Sequence, residues 1–140
     1  MARTYIDTDD RYSLFYRKLT HRLEQAGVAV VDSPQDATAE LVIHSDDTGR
    51  RVLSVSARNV PTEYEVYYTV FYSLVAGDSV LMPPQVKTLT RDYTYDQRRV
   101  LGKEREEELL REAIAEDLVR VVLIQLSSLG AGGPGTGTGG

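Results

Sequence analysis

The stretch 62–74, TEYEVYYTVFYSL, constrains the fold more than any other part of the chain. It is β-branched and aromatic and contains neither Gly nor Pro, so it reads as a strand. With a period of two, one face carries Tyr64, Val66, Tyr68, Val70, Tyr72 and Leu74. The other face carries Glu63, Glu65, Tyr67, Thr69, Phe71 and Ser73. A strand covered on one side by a small core should be polar on its other side. Tyr67 and Phe71 break that expectation. At 140 residues the chain has the length of one domain with one core. A second aromatic face therefore asks for something outside that core to meet.

The aromatic content points the same way. There is no Trp and there are only 2 Phe, against 9 Tyr. Tyrosine joins a large contact face to a wet hydroxyl, which suits surfaces that meet a partner. The net charge of −5 argues against non-specific binding of DNA or RNA, so no nucleic-acid partner is expected. With no Cys there is no disulfide, thiolate nucleophile or Cys-based metal site. No apolar run reaches the ~18–20 residues that span a bilayer. The opening MARTYIDTDD has no apolar stretch of the kind a signal peptide carries.

Along the chain, ARTYID (2–7) reads as a short strand and DTDD (7–10) as a turn with helix-capping residues. From Arg11 to Ala26, the spacing of Phe15, Leu19, Leu23 and Ala26 predicts an amphipathic helix, stopped by Gly27. VAVV (28–31) is a brief strand and DSPQDAT (32–38) a loop. AELVIHS (39–45) and RRVLSVSA (50–57) flank DDTG, whose turn chemistry predicts a hairpin over 39–57 with Gly49 at positive φ. The tyrosine strand follows and runs to Val75. After Pro83-Pro84, QVKTLTRDYTY (85–95) is a further strand. From about Lys103 to Leu129 a stripe of Leu110, Ala113, Ile114, Leu118, Val121, Val122 and Leu126 predicts a second helix. Its first turns are crowded with glutamates, where the helix dipole favours them. Residues 130–140 are Gly-rich and are expected to be a disordered tail beyond a single domain over 1–129.

The expected class is α+β: two helices packed on one face of a mostly antiparallel sheet of about four strands, in β-α-β-β-β-α order. That leaves the other sheet face bare.

Catalytic apparatus is sparse. His21 falls on a polar helix side and His44 in a strand, without metal-ligand spacing. No Ser sits in a GxSxG elbow, and the Gly-rich tail opens no helix that would cradle phosphate. No catalytic residue, metal or cofactor is expected. Basic residues are more telling. Arg50, Arg51 and Arg58 lie in and after one strand, Arg91 precedes Tyr93 and Tyr95, and Arg98, Arg99, Lys103 and Arg105 lead into the second helix. Scattered surface charge would give a similar list. Grouped in space, these residues would suit a multiply anionic partner, since arginine contacts phosphate bidentately.

The segment TRDYTYDQRRVLGKEREEELLREAIAEDLVRVVLIQL (90–126) has a strand ending in R-x-Y-x-Y-D, a short loop, V-L-x-K-x-x-E and an amphipathic helix. With TEYEVYYTV (62–70) and YSLFYRKLTHRLEQAGV (12–28), it resembles the LptE family of lipopolysaccharide (LPS) assembly lipoproteins. The resemblance covers residues 2–129. It implies a non-catalytic plug seated in the lumen of the LptD β-barrel, which supports barrel assembly and binds LPS during its insertion into the outer leaflet. It implies a place at the periplasmic face of the Gram-negative outer membrane. It also implies an N-terminal lipid anchor on a cysteine that this sequence lacks, as a chain trimmed after its anchor would.

The family's LPS-contacting basic positions match Arg58 and Lys103 when a one-residue gap is allowed, with Arg98, Arg99 and Arg105 as neighbours. The candidate LPS-binding set is Arg58, Lys103, Arg98, Arg99 and Arg91. The candidate partner interface is Tyr67, Phe71, Tyr93 and Tyr95. A rival reading makes the chain a stand-alone module that dimerises through its open sheet face; a small hydrolase is a third.

Overall fold

The computed structural model describes residues 2–58, 61–94 and 103–136. Five strands form one sheet: β1 (Arg3–Asp7), β2 (Ala29–Val31), β3 (Ala39–Val55), β4 (Pro61–Ala76) and β5 (Ser79–Thr94). Two helices, α1 (Leu14–Gln25) and α2 (Lys103–Thr136), lie against it, and Pro34–Asp36 form a single 3-10 turn. The strand order is β2-β1-β3-β4-β5. β1 runs parallel to β2 and β3, while β3, β4 and β5 form an antiparallel meander. The class is the expected α+β, and the brief strand at 29–31 joins the sheet edge as a fifth member.

The alternation in 62–74 sorts as its period demands. Tyr64, Val66, Tyr68, Val70, Tyr72 and Leu74 are all buried. Above them α1 contributes Phe15, Leu19 and Leu23, and α2 contributes Ile114, Ala115, Leu118, Val119, Val122 and Leu126. Full burial of each large apolar side chain is worth about 1.5–3 kcal/mol, which holds both helices on this one side. Gly27 ends α1 at a φ of 85°, as its position after the last apolar residue predicts.

Several boundaries differ from the sequence expectation. First, α2 runs to Thr136 rather than stopping at Leu129 before a disordered tail. Second, 39–57 is not a hairpin. β3 runs unbroken through DDTG because β4 offers it a partner residue at almost every step, from Glu40↔Val75 to Val55↔Pro61. The DDTG turn residues are overridden by that ladder, and Gly49 does not adopt positive φ. A bulge between Ile43 and Ser45 places the extra residue at His44. Third, β5 begins at Ser79, before the prolines rather than after them. Pro83 and Pro84 together face Ser73 in a register shift on the edge strand, where missing N–H donors are tolerated. Fourth, α1 starts at Leu14, capped by Ser13 rather than by the acidic turn at 7–10.

That cap is built partly from the sheet. Ser13 Oγ accepts from the Tyr16 N–H at 3.0 Å and donates to Asp46 Oδ2 at 2.5 Å. The Phe15 N–H donates to the Tyr68 hydroxyl at 3.0 Å, and that hydroxyl in turn hydrogen-bonds Asp46. Tyr68 of β4 thereby satisfies a donor that the first turn of a helix leaves open, and Asp46 of β3 holds the capping hydroxyl of Ser13.

Candidate functional site: the open sheet face and its basic end

The register fixes which side chains share the face turned away from the helices. Three strands contribute in rows across the meander: Asp92, Glu65 and Arg51; Thr90, Tyr67 and Gly49; Thr88, Thr69 and Asp47; Val86, Phe71 and Ser45. Among the described residues, no helix or loop of the chain covers these rows.

Tyr67 is held flat. A Cβ on Gly49 would meet the Tyr67 hydroxyl at 2.7 Å, so the ring occupies the space that the glycine leaves. From the neighbouring row, the Arg51 guanidinium lies 4.6 Å from the ring centroid, a cation–π contact. Glu65 holds that guanidinium at 3.4 Å, and 59% of the arginine side chain remains exposed. Two rows on, the Phe71 ring packs tilted against His44, the bulge residue, with centroids 4.8 Å apart, and His44 Nε2 hydrogen-bonds Ser73 Oγ at 2.8 Å. The hydroxyls of Thr69 and Thr88 bond at 2.9 Å between these aromatic groups, and Val86 stands exposed beside Phe71. The face is thus a fixed ridge of aromatic and threonine groups that needs little ordering before it meets a partner.

Two of the candidate cations come to one end of the sheet. Arg58 follows β3 and is exposed. Lys103 opens α2, and its side chain lies outside the described residues. The Glu63↔Thr94 pairing puts the start of β4 and the end of β5 at this same end, and Arg50, near the end of β3, meets Glu107 on the opening turns of α2. Topology therefore brings Arg58 and Lys103 to one end of the molecule. Arg98, Arg99 and Tyr95 lie outside the described residues.

The remaining candidates sit elsewhere. Arg91 points to the helix side, where its guanidinium meets Asp117 at 2.7 Å. Tyr93 is only 8% exposed and stacks on Tyr64 with ring centroids 5.4 Å apart. Its hydroxyl bonds Glu107, and burial together with that carboxylate raises its pKa. Glu107 also holds Arg50 at 2.5 Å, and Arg50 lies 4.8 Å from the Tyr64 ring centroid. Arg91 and Tyr93 thus tie α2 to the sheet and do not join the open face.

Sequence reasoning did not single out Gly49 as the seat of a ring, nor Asp47 and Asp92 as members of the open face. Among the described residues no group of His, Asp or Glu is placed to hold a metal ion, and no helix is long and apolar enough to cross a membrane.

The LptE family profile, described as lipopolysaccharide-assembly, matches residues 1–126. This chain belongs to the LptE family. The same fold is found in rare lipoprotein B from Shewanella oneidensis, 27% identical, with a TM-score of 0.78 over 92% of this chain and 96% of that one. Lipoprotein B from Nitrosomonas europaea is 25% identical, with a TM-score of 0.79 over 94% of this chain and 85% of that one. A minor lipoprotein from Acinetobacter baumannii shares the fold at 20% identity, with a TM-score of 0.74 over 91% of each chain. No curated protein matches the sequence. LptE membership places the chain in lipopolysaccharide assembly, in a family without catalytic function.

Proposed function

We propose that this LptE protein is a non-catalytic plug of the LptD β-barrel that supports barrel assembly and binds LPS on its way to the outer leaflet. The observation that carries the reading is the open sheet face. Tyr67 and Phe71 are locked in place there by Gly49, Arg51 and His44, and no element among the described residues covers them. A pre-ordered surface of tyrosine, phenylalanine and arginine has the make-up of a protein interface. The LPS-binding part rests on Arg58, just after β3, and Lys103, at the start of α2, with Arg98 and Arg99 as neighbours in the chain. A lipid anchor preceding this chain would hold it at the periplasmic face of the outer membrane.

Co-expression with LptD and affinity capture test the plug. Wild-type chain should co-purify with the barrel, and Tyr67→Ala with Phe71→Ala should abolish it. A chain that is never captured, and that instead sediments as a stable dimer, would replace the plug with self-association.

A further inference from the structure

The open face is charged asymmetrically. Along the meander it presents Asp47, Glu63, Glu65 and Asp92, with Arg51 as their cationic neighbour. Of the strand cations, Arg50, Lys87 and Arg91 fall on the opposite side by register, while the exposed Arg3 shares the open side on β1, outside the meander. On the opposite side, Arg50 is engaged by Glu107 and Arg91 by Asp117. On the open face, Arg51 is already held by Glu65. Among the described residues, Asp47 and Asp92 have no ion-pair partner, and both are exposed. They flank the Tyr67 row, one on β3 and one on β5.

This distribution selects among occupants. A second copy of the chain would set carboxylates against carboxylates, and like charges across an interface oppose association. Lipid phosphates would meet the same repulsion on this face, so an anionic ligand is directed to Arg58 and Lys103 instead. We propose that the open face docks on a protein wall whose facing side chains are mainly lysine and arginine, arranged around a patch that receives Tyr67 and Phe71. Asp47 and Asp92 supply the rim charges that orient it. This inference rests on the reading of the open face as a docking face and adds the chemistry of its partner.

The test uses the full chain co-expressed with LptD. Asp47→Lys and Asp92→Lys are exposed substitutions that break no described ion pair. Each is expected to weaken barrel capture by about tenfold at low salt, with the deficit shrinking as salt rises. The same reversal on the helix side, Glu24→Lys, should leave capture as in wild type, and LPS binding by the purified Asp47→Lys and Asp92→Lys chains should be unchanged. Wild-type capture with undiminished capture of both aspartate variants would overturn the basic-wall inference and leave the plug standing. Loss of wild-type capture would remove the plug itself, and this inference with it. A wild-type dimer that dissociates on either reversal would assign the face to a second copy and overturn the proposal.

Discussion

Gly49 and Tyr67 are register partners on adjacent strands, and the tyrosine ring fills the place where any other residue would have its Cβ. Gly49→Ala therefore sets two effects against each other. Alanine lowers the entropy of the unfolded chain, a gain of about 0.5–1 kcal/mol. Its methyl group must also displace the far end of Tyr67, a half-buried side chain. Thermal unfolding should shift by less than about 1 kcal/mol either way, while capture by the barrel falls because the ring has left its seat. A variant that melts normally and is captured normally would show that the seat does not matter for docking.

Asp46 makes stability depend on pH with an unusual sign. Burial raises its pKa above the ordinary 3.8, against the lowering effect of its hydrogen bonds from Ser13 and Tyr68. In the folded state it holds its proton to higher pH than in the unfolded state, so its contribution to stability falls as pH rises from about 3.8 through the folded value. Most carboxylates in ion pairs act in the reverse sense. Subtracting denaturant melts of Asp46→Asn from wild type across this window should isolate a term that decreases with pH. A flat or rising difference would contradict the assignment. Ser13→Ala, which removes the cap and a donor to Asp46, should cost about 1 kcal/mol.

Arg58→Glu and Lys103→Glu should each reduce LPS binding by the purified chain. A lost charge-assisted hydrogen bond is worth about 1.5–3 kcal/mol, or tenfold and more in affinity. Arg91→Gln should leave binding nearly intact, because its guanidinium serves Asp117 on the helix side. Direct titration with LPS checks all three, and equal binding by both reversal variants would remove Arg58 and Lys103 as the ligand site.

Arg50 and Arg51 are neighbours in sequence with opposite roles. Arg50 pairs with Glu107, which is 13% exposed, whereas Arg51 pairs on the surface with Glu65. Arg50→Met should destabilise by about 1–3 kcal/mol because it removes the cation beside a largely buried carboxylate. Arg51→Met should cost under about 1 kcal/mol and show its effect in barrel capture instead. Urea melts of the pair decide the matter, and equal losses would mean that the two faces are not distinguished.

Much of the fold was legible because periodicity survives any context. The alternation from Tyr64 to Leu74 and the spacing of Phe15, Leu19 and Leu23 each name a buried face without knowledge of what covers it. What failed was local chemistry that a long partner overrules: DDTG has the composition of a turn, yet β4 draws it into an extended ladder. The open face was half legible. Tyr67 and Phe71 follow from alternation within one strand, but alternation has no absolute direction. Placing Tyr93 needs its pairing with Tyr64, and Asp92 likewise follows only from its register with Glu65. The acidic character of the face is invisible until three strands are aligned.

The paired prolines at 83 and 84 bear on the time before docking. They lie on the outermost strand, where the proline pair and its register shift interrupt the regular row of backbone groups that a newcomer would need to extend the ladder. A molecule carrying a naked aromatic surface runs the risk of polymerising through its margin while it waits. Here the margin is blunted and the surface is left available, so recognition is channelled through side chains that discriminate rather than through main-chain groups that do not.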